Sequence, residues 1–173
     1  MSHTTPMPGT AAPVIDAKSK DGGTFALPTA SAGGFSVVFF YRGLHCPVCK
    51  TQIEDLAQQE ATFRDAGIAV SAVSMDDEDR MARQRTEWDL GDLTVGHALT
   101  EASARAWGLY LSDKAKDSEP TRFAEPGIAV IRPDGVLYAL YLQNTPFARP
   151  GLEDLRKGLG FIMENDYPVR GTA

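Results

Sequence analysis

The sequence predicts an α/β fold in which a central mixed β-sheet is flanked by helices. Residues 35–41 are apolar, β-branched and aromatic without alternation, which is typical of a strand buried on both faces. From Cys46 onward apolar residues recur at helical spacing, and residues 68–75 then form a second strand. Strand, helix and strand, followed later by a hairpin and a last helix, indicate an α/β sandwich.

The other elements can be assigned in chain order. Residues 1–12 are rich in Thr, Pro, Ala and Gly and are expected to be flexible. Residues 13–27 contain Asp21-Gly22-Gly23 and predict a β-hairpin that caps the sheet edge. The remaining predictions are a helix from the acidic run 76–79 to about 90, a strand over 93–99, a helix over 100–107, a polar loop over 111–125 that covers the cysteines, a hairpin of 127–131 and 136–142, and a helix over 152–164.

Composition limits the domain count and the classes of partner. The chain has 173 residues, of which 43% are hydrophobic, so it can bury the core of one domain, predicted over residues 13–168 with a tail at 169–173. A net charge of −6 and the lack of a basic cluster argue against binding to nucleic acid or anionic membranes. No secretion signal or membrane-length apolar run is visible, so we predict a cytoplasmic protein.

The chain's only two cysteines, Cys46 and Cys49, lie at the predicted start of the first helix, with Pro47 at a position that suits proline. A helix N-terminus favours an anion, so the pKa of Cys46 should be lowered and its thiolate nucleophilic. Cys49 follows one turn later on the same face, from which it can resolve a mixed disulfide. We expect Cys46 to be reachable from solvent, with Cys49 behind it.

Two other uses of the cysteines compete with redox chemistry. The pair could be inert and buried, which the helix-start position does not favour. It could be half of a zinc site, which needs about four ligands, and only His3, His45 and His97 could add nitrogen. We therefore predict no metal and no cofactor.

Two longer segments and the chain's end carry a resemblance to a known family. They are Phe39-Phe-Tyr-Arg-Gly-Leu-His-Cys-Pro-Val-Cys-Lys50, Glu125-Pro126 with the following strand and Asp-Gly turn, and Asp166-Tyr-Pro168. Between residues 12 and 168 the chain resembles the peroxiredoxin-like (alkyl hydroperoxide reductase C / thiol-specific antioxidant) branch of the thioredoxin-fold superfamily. The resemblance implies a thioredoxin-like fold with an N-terminal hairpin extension.

Two registers of this resemblance compete for the same residues. In the thioredoxin register Cys46 attacks and Cys49 resolves. Pro126 then matches a proline that is cis in that family and faces the site, and Glu125 before it would offer backbone groups to an extended substrate.

In the peroxiredoxin register the peroxidatic cysteine falls on Cys49. The family's threonine position is then Cys46, its proline position is Arg42, and its strand arginine falls at about Pro126. Arg122 or Arg42 could replace that arginine, although nothing in the sequence requires either to do so.

Two residues near the cysteines are further candidates for substrate binding. Arg42 ends the central strand and could favour a thiolate or bind a carboxylate, but it is explained equally well as a solvated arginine. His45 could stabilise the thiolate if it were protonated, or could simply be exposed at the helix entrance.

The function predicted from the sequence is a thiol–disulfide oxidoreductase that uses the Cys46/Cys49 pair. One alternative is a thiol-dependent peroxidase that reduces hydrogen or alkyl peroxides, and a second is a non-enzymatic redox switch. The expected partners are a protein or small-molecule disulfide or peroxide and a cellular thiol reductant of the thioredoxin reductase or glutathione type. The oligomeric state is left open, with a homodimer as one option.

Overall fold

A computed structural model describes residues 4–173 and contains a six-stranded sheet with the strand order β1-β4-β3-β2-β7-β8. The strands of this sheet are β1 (Lys18–Ser19), β2 (Phe35–Phe40), β3 (Ile68–Val73), β4 (Thr94–His97), β7 (Gly127–Ile131) and β8 (Leu137–Leu142). Strands β5 (Leu111–Asp113) and β6 (Arg122–Ala124) pair separately as a short hairpin. The sheet is mixed, because β2 and β4 run parallel to β3 whereas β1, β7 and β8 pair antiparallel.

Helices cover both faces of the sheet. The helices are α1 (Pro47–Gln58), α2 (Glu60–Asp65), α3 (Glu78–Glu87), α4 (Glu101–Ala106) and α5 (Leu152–Glu164). Apolar side chains of α1, α2, α3 and α5 join the core on one face, and α4 with part of the N-terminal segment covers the other. Along β2, Val37 and Phe39 enter the first core while Val38 and Phe40 enter the second. The prediction of a central strand buried on both faces is therefore confirmed.

The unit that positions the cysteines is the crossover from β2 through α1 and α2 to β3. The two strands pair in parallel from Phe35 opposite Ile68 to Phe40 opposite Val73. The predicted single helix is divided at Gln59, where α1 ends and α2 begins. Because the carboxyl end of β2 leads straight into α1, the first turn of α1 lies above the central strand of the sheet.

Three N-terminal and loop segments differ from expectation. The predicted hairpin over 13–27 contracts to the two residues of β1, one bridge from Lys18 to Thr24 and a tight turn between them. Within the segment predicted as flexible, residues 9–12 form backbone hydrogen bonds with residues 135–137, and residues 1–3 lie outside the described part of the chain. The polar loop over 111–125 contains the β5–β6 hairpin, whose strands are too short and polar to show alternation. The domain boundaries at 13 and 168 stay a prediction.

Within residues 4–173, no helix has both the length and the apolar content needed to cross a membrane.

Candidate active site

The sulfur pair, meaning the side-chain sulfurs of Cys46 and Cys49, lies at the first turn of α1. Cys46 is the N-cap residue, with an extended backbone, and its sulfur accepts a hydrogen bond of 3.2 Å from the Cys49 backbone N–H. Pro47 occupies the start of the helix, where its missing N–H leaves no helical bond unmade. Both cysteines are free and both are buried. The helix start predicted from the sequence is confirmed, and it presents the Cys46 sulfur to an N–H donor.

The two cysteines have opposite electrostatic environments. The hydrogen bond from the Cys49 side chain lowers the pKa of Cys46 to about 6, and the Cys49 backbone N–H and the guanidinium groups of Arg149 and Arg42 act in the same direction against burial. Burial raises the pKa of Cys49 above its usual range, and the hydrogen bond that its thiol gives to Cys46 adds to this effect. At neutral pH the pair therefore holds one thiolate, on Cys46, and one thiol, on Cys49.

Arg149 is the cation that contacts the sulfur pair. Its Nη2 lies 3.1 Å from the Cys49 sulfur and 4.0 Å from the Cys46 sulfur. The same guanidinium donates to the Gln52 side-chain oxygen on α1 and, through Nε, to the Pro146 carbonyl at 2.9 Å. Since a guanidinium can only donate, it supplies positive charge and aligned N–H groups at the place where the thiolate forms.

No sequence pattern indicates Arg149, and the arginines considered for this role were Arg42 and Arg122. Arg149 lies 103 positions after Cys46, in an irregular segment after β8 that shows no periodicity and no motif. Arg122, which was considered for this role, instead pairs with Asp113 and Glu101 at the surface.

A buried carboxylate holds the anchor loop, residues 42–45, which connects β2 to the N-cap. The Asp76 carboxylate is 1% exposed and accepts hydrogen bonds from the Leu44 N–H (2.7 Å), Arg80 Nε (2.7 Å) and Gln84 Nε2 (2.6 Å). Burial raises the pKa of Asp76, and the Leu44 and Arg80 donors oppose that shift. The predicted helix start in the acidic run 76–79 is confirmed, since Asp77 caps α3 and Glu78 and Asp79 lie in its first turn, but Asp76 precedes the helix and is buried.

Gly43 is required where the anchor loop passes this carboxylate. Its φ of +115° is unfavourable for other residues, and an added Cβ would lie 2.4 Å from an oxygen of Asp76. The Gly43 carbonyl accepts the Cys46 N–H at 3.1 Å. The conformation of the anchor loop therefore fixes the position of the N-cap residue, Cys46.

Arg42 lies near the site but is already paired. It forms ion pairs with Glu119 (3.6 Å) and Glu125 (3.3 Å), and its guanidinium lies over the Phe123 ring at 4.6 Å. The expectation that Arg42 binds a carboxylate of the substrate is therefore corrected, because two carboxylates of its own chain occupy it. Its positive charge still contributes to lowering the pKa of Cys46.

His45 does not act as a cation. Burial lowers its pKa to about 4, and the neighbouring charges of Arg42 and Arg80 add to this effect. Its Nδ1 lies 3.2 Å from Arg80 Nη2, so this nitrogen accepts, and its ring packs against Phe123 at 4.6 Å. The lowered pKa disfavours a protonated His45 as the group that stabilises the thiolate. Of the other histidines considered for zinc, His97 lies in β4 beside Glu78 and His3 is outside the described residues.

Glu125 and Pro126 also depart from the thioredoxin register. No cis peptide bond occurs in residues 4–173, so the Glu125–Pro126 bond is trans, the form that X-Pro bonds favour by about 0.5–1 kcal/mol. The Glu125 N–H donates to the Tyr110 carbonyl at 2.8 Å, and the Glu125 carboxylate accepts from the Ser112 hydroxyl. Because its N–H is used within the chain, Glu125 does not offer that donor to an extended substrate.

The accessibility of Cys46 also differs from expectation. Only 2% of the residue is exposed, and Cys49 is fully buried, so neither sulfur is open to a large partner in this conformation. The cover is partly polar, because the Arg149 guanidinium contacts both sulfurs. The predicted polar loop, residues 111–125, instead packs its β6 residue Phe123 against the anchor loop.

Comparison with known proteins identifies the family. The family model described as "AhpC-TSA: AhpC/TSA family" matches residues 8–140, which is most of the chain and includes both cysteines. The chain belongs to the AhpC/TSA family. The family makes the protein an oxidoreductase at the level of enzyme class, as the resemblance implied. Arg149 lies beyond the matched range. No curated protein matches the sequence.

The solved structures of similar fold include peroxiredoxins and a peroxiredoxin-like protein. A peroxiredoxin-like protein from Aquifex aeolicus superimposes with a TM-score of 0.73 at 18% identity, covering 92% of this chain and 89% of that one. Peroxiredoxin 6 of Arenicola marina gives 0.73 at 16% identity (94% and 76% covered), and the reduced 2-Cys peroxiredoxin of Plasmodium vivax gives 0.68 at 15% (93% and 84%). At these identities the likeness shows the fold alone, and it confirms the predicted thioredoxin-like architecture.

Proposed function

We propose that the protein is a thiol-dependent peroxidase in which Cys46 reduces a small hydroperoxide and Cys49 resolves the product. One observation carries the proposal: Cys46 is a thiolate-forming N-cap residue that is 2% exposed and lies beside a guanidinium. A hydroperoxide has only two oxygen atoms to bring to the sulfur, so it needs far less access than a protein disulfide. Family membership supports the same choice over disulfide exchange with a large partner.

The first step transfers oxygen to sulfur. The Cys46 thiolate attacks the nearer peroxide oxygen, the O–O bond breaks, and the departing oxygen leaves as alkoxide or hydroxide and takes up a proton. Cys46 becomes a sulfenic acid, oxidised by two electrons, and the peroxide becomes an alcohol or water. The Arg149 N–H groups would bind the peroxide oxygens and stabilise the negative charge on the leaving oxygen.

The second step joins the two sulfurs. The Cys49 sulfur attacks the sulfenic sulfur, an S–S bond forms, and the hydroxyl leaves as water with the thiol proton. Cys49 is suited to this later role because it is buried and protonated in the resting enzyme, one helical turn from Cys46. A cellular thiol reductant, either one dithiol of the thioredoxin type or two molecules of a monothiol such as glutathione, then gives two electrons, becomes a disulfide itself and returns both sulfurs to the thiol state.

A second candidate exchanges the roles of the cysteines, as the peroxiredoxin register implies. It is favoured by one observation, since the guanidinium of Arg149 lies closer to the Cys49 sulfur than to the Cys46 sulfur. We place the attack on Cys46 because only this sulfur accepts a backbone N–H at the helix start and because its pKa is the lowered one.

Peroxide consumption tests the proposal. Wild-type protein supplied with hydrogen peroxide or cumene hydroperoxide and excess dithiothreitol should turn over, whereas Cys46→Ser should lose turnover. Cys49→Ser should retain the first oxidation. Reduction of insulin disulfides at a rate above that of peroxide turnover would instead support the disulfide oxidoreductase. Absence of peroxide consumption by the wild type contradicts the proposal.

A further inference from the structure

A cavity lies at the end of the sheet away from the sulfur pair. It has a volume of about 700 Å³ and is enclosed by the loop of residues 31–34, residues 66–67 and one side of α5. The loop leads into the amino-terminal end of β2, whereas Cys46 follows the carboxyl-terminal end of that strand. Small-molecule sites have volumes of about 300–1,000 Å³, so this cavity is large enough for a ligand. It is separate from the proposed peroxide site.

The arginine that lines this cavity has no partner in its own chain. Arg156 on α5 is half-buried, and its Nε is shielded from solvent without a hydrogen-bond acceptor. Within residues 4–173 every other arginine contacts a carboxylate, a carbonyl or an aromatic ring, but Arg156 forms no ion pair. Glu153, in the same helix, is paired with Lys157 at 2.7 Å instead. A shielded guanidinium N–H without an acceptor is unfavourable, and an anion in the cavity would supply one.

The wall opposite α5 is formed largely by backbone. The loop of residues 31–34 passes so close to Gly67 that a Cβ added to Gly34 would lie 1.9 Å from the Gly67 carbonyl oxygen. Within residues 4–173 the N–H groups of Ala32 and Gly33 donate to no acceptor of the chain. This wall therefore offers hydrogen-bond donors without bulky side chains in front of them.

The helix side of the cavity is kept open at Gly160. Glycine inside a helix is less favourable than alanine, and no atom lies within 4 Å of the position that a Cβ on Gly160 would take. The φ of Gly160 is not positive, so its backbone conformation does not require glycine either. The effect of this glycine is to leave room in the cavity, where the side chains of Phe161 and Met163 supply apolar surface.

We propose that this cavity binds a phosphate monoester of a small organic molecule, with the phosphate at Arg156 and the organic group against Phe161 and Met163. A guanidinium together with backbone N–H groups matches the several oxygens of a phosphate. Glu164 also lines the cavity and would repel a second anionic group, so we expect a single phosphate. The inference is independent of the proposed function, because neither cysteine lines this cavity.

Isothermal titration calorimetry with phenyl phosphate tests this proposal. The wild-type protein should bind phenyl phosphate, and it should bind inorganic phosphate, phenol and benzoate at least about tenfold more weakly, because each lacks one of the recognised groups. Absence of phenyl phosphate binding overturns the proposal. Equal affinity for inorganic phosphate would mean an adventitious ion only, and equal affinity for benzoate would mean a general carboxylate site; both results also overturn it.

Two variants with matched controls locate the ligand. Arg156→Gln should weaken phenyl phosphate binding about 10- to 100-fold, whereas Arg64→Gln, at an exposed arginine paired only with Glu60, should not. Gly160→Leu fills the cavity without changing its charge and should weaken binding at least about tenfold. Gly158→Leu is the same substitution in the same helix but faces a different groove, so it should leave the affinity unchanged. Thermal unfolding checks that each variant is folded. Wild-type affinity in either Arg156→Gln or Gly160→Leu overturns the proposal.

Discussion

The anchor loop and the lid, the segment of residues 143–151 that carries Arg149, both adjoin the sulfur pair, and they are held in different ways. The anchor loop, residues 42–45, rests on Asp76, whose buried carboxylate accepts three donors of 2.6–2.7 Å. The lid, residues 143–151, has no buried residue and depends mainly on the contacts of Arg149. The first region is part of the core's polar network, whereas the second is a surface segment.

The proposed chemistry needs both a fixed nucleophile and access to the sulfurs, and the two segments meet these needs separately. A nucleophile needs a fixed position relative to its N–H donor, and the anchor loop supplies it by setting the N-cap residue. Regeneration of the sulfurs needs access, which a weakly held lid can supply. Substitutions that disrupt the support of the anchor loop should therefore lower mainly the free energy of unfolding, and substitutions in the lid should lower mainly the rate of peroxide reduction.

The largest effect is expected at the centre of the anchor side. Asp76→Ala leaves the Leu44 N–H, Arg80 and Gln84 without their shared acceptor and should lower the free energy of unfolding by about 3 kcal/mol. Urea unfolding measures this change. Asp79→Ala, at an exposed acid in the first turn of α3, is the matched control and should cost less than about 1 kcal/mol. Equal losses in the two variants would remove the basis for calling this side rigid.

On the lid side, Arg149→Gln should change chemistry more than stability. Loss of the guanidinium raises the pKa of Cys46 and removes donors to the peroxide, so the rate of peroxide reduction at pH 7 should fall by about 10- to 100-fold. Stopped-flow oxidation measures that rate. The unfolding free energy should fall by about 1–2 kcal/mol, less than for Asp76→Ala, because the half-buried Arg149 loses its hydrogen bonds to Gln52 and to the Cys49 sulfur. Arg132→Gln, which breaks only an exposed ion pair with Asp134, is the control and should leave the rate unchanged.

The pH dependence of Cys46 alkylation tests whether the groups around the sulfur pair lower the pKa of Cys46. The pKa of Cys46 is lowered to about 6, so the thiolate is present above that pH and the rate should fall about tenfold per unit below it. The pKa of His45 is lowered to about 4, so His45 should add no second step between pH 5 and 9. The measurement uses iodoacetamide on the wild-type protein, and peptide mapping identifies the alkylated cysteine. The Cys49→Ser variant is unsuitable, because the Cys49 side chain donates a hydrogen bond to Cys46 and its loss would change the pKa of Cys46. A single inflection near pH 8.5 would contradict the account.

The smallest effect is expected at Tyr41, which joins the hydrogen bonds around Asp76 through Gln84. The Tyr41 hydroxyl donates to Gln84 Oε1 at 2.7 Å, and burial raises the pKa of Tyr41 above its usual range. Tyr41→Phe removes this donor and should cost about 1 kcal/mol of unfolding free energy. Tyr141→Phe, at a residue that is 40% exposed, is the matched control and should be nearly neutral. If Tyr41→Phe is also neutral, the network does not extend beyond Asp76 and Gln84.

The same comparison shows what a sequence can predict. The position of Cys46 at a helix start follows from local patterns within residues 35–63, namely a buried strand, a glycine and an apolar repeat, and the structure confirms it. Asp76 was misinterpreted, although its position directly after the apolar strand 68–75 is a signal for a buried acid near the carboxyl end of the sheet. Arg149 had no local signal, because its contact with the sulfurs is created by the path of the chain over the sheet.

The thioredoxin register departs from the structure at Glu125 and Pro126 for a related reason. It carried Glu125 and Pro126 over by motif, but the backbone N–H of Glu125 is used by Tyr110 and the Pro126 bond is trans. Residues 111–125 form a hairpin that engages Arg42 through Glu119 and Glu125, and no pattern of apolar alternation predicted this pairing. Local sequence thus predicts which side chain starts a helix better than which distant side chains surround it.

The most direct test of the central assignment is to locate the first oxidised sulfur. Cys49→Ser, exposed to one equivalent of hydrogen peroxide in the presence of dimedone and analysed by peptide mass spectrometry, should carry the dimedone adduct on Cys46. Cys46→Ser treated in the same way should form little adduct on Cys49, whose sulfur is fully buried and whose pKa is raised. A fast, quantitative adduct on Cys49 in Cys46→Ser, with none on Cys46 in Cys49→Ser, would contradict the account and assign the attack to Cys49.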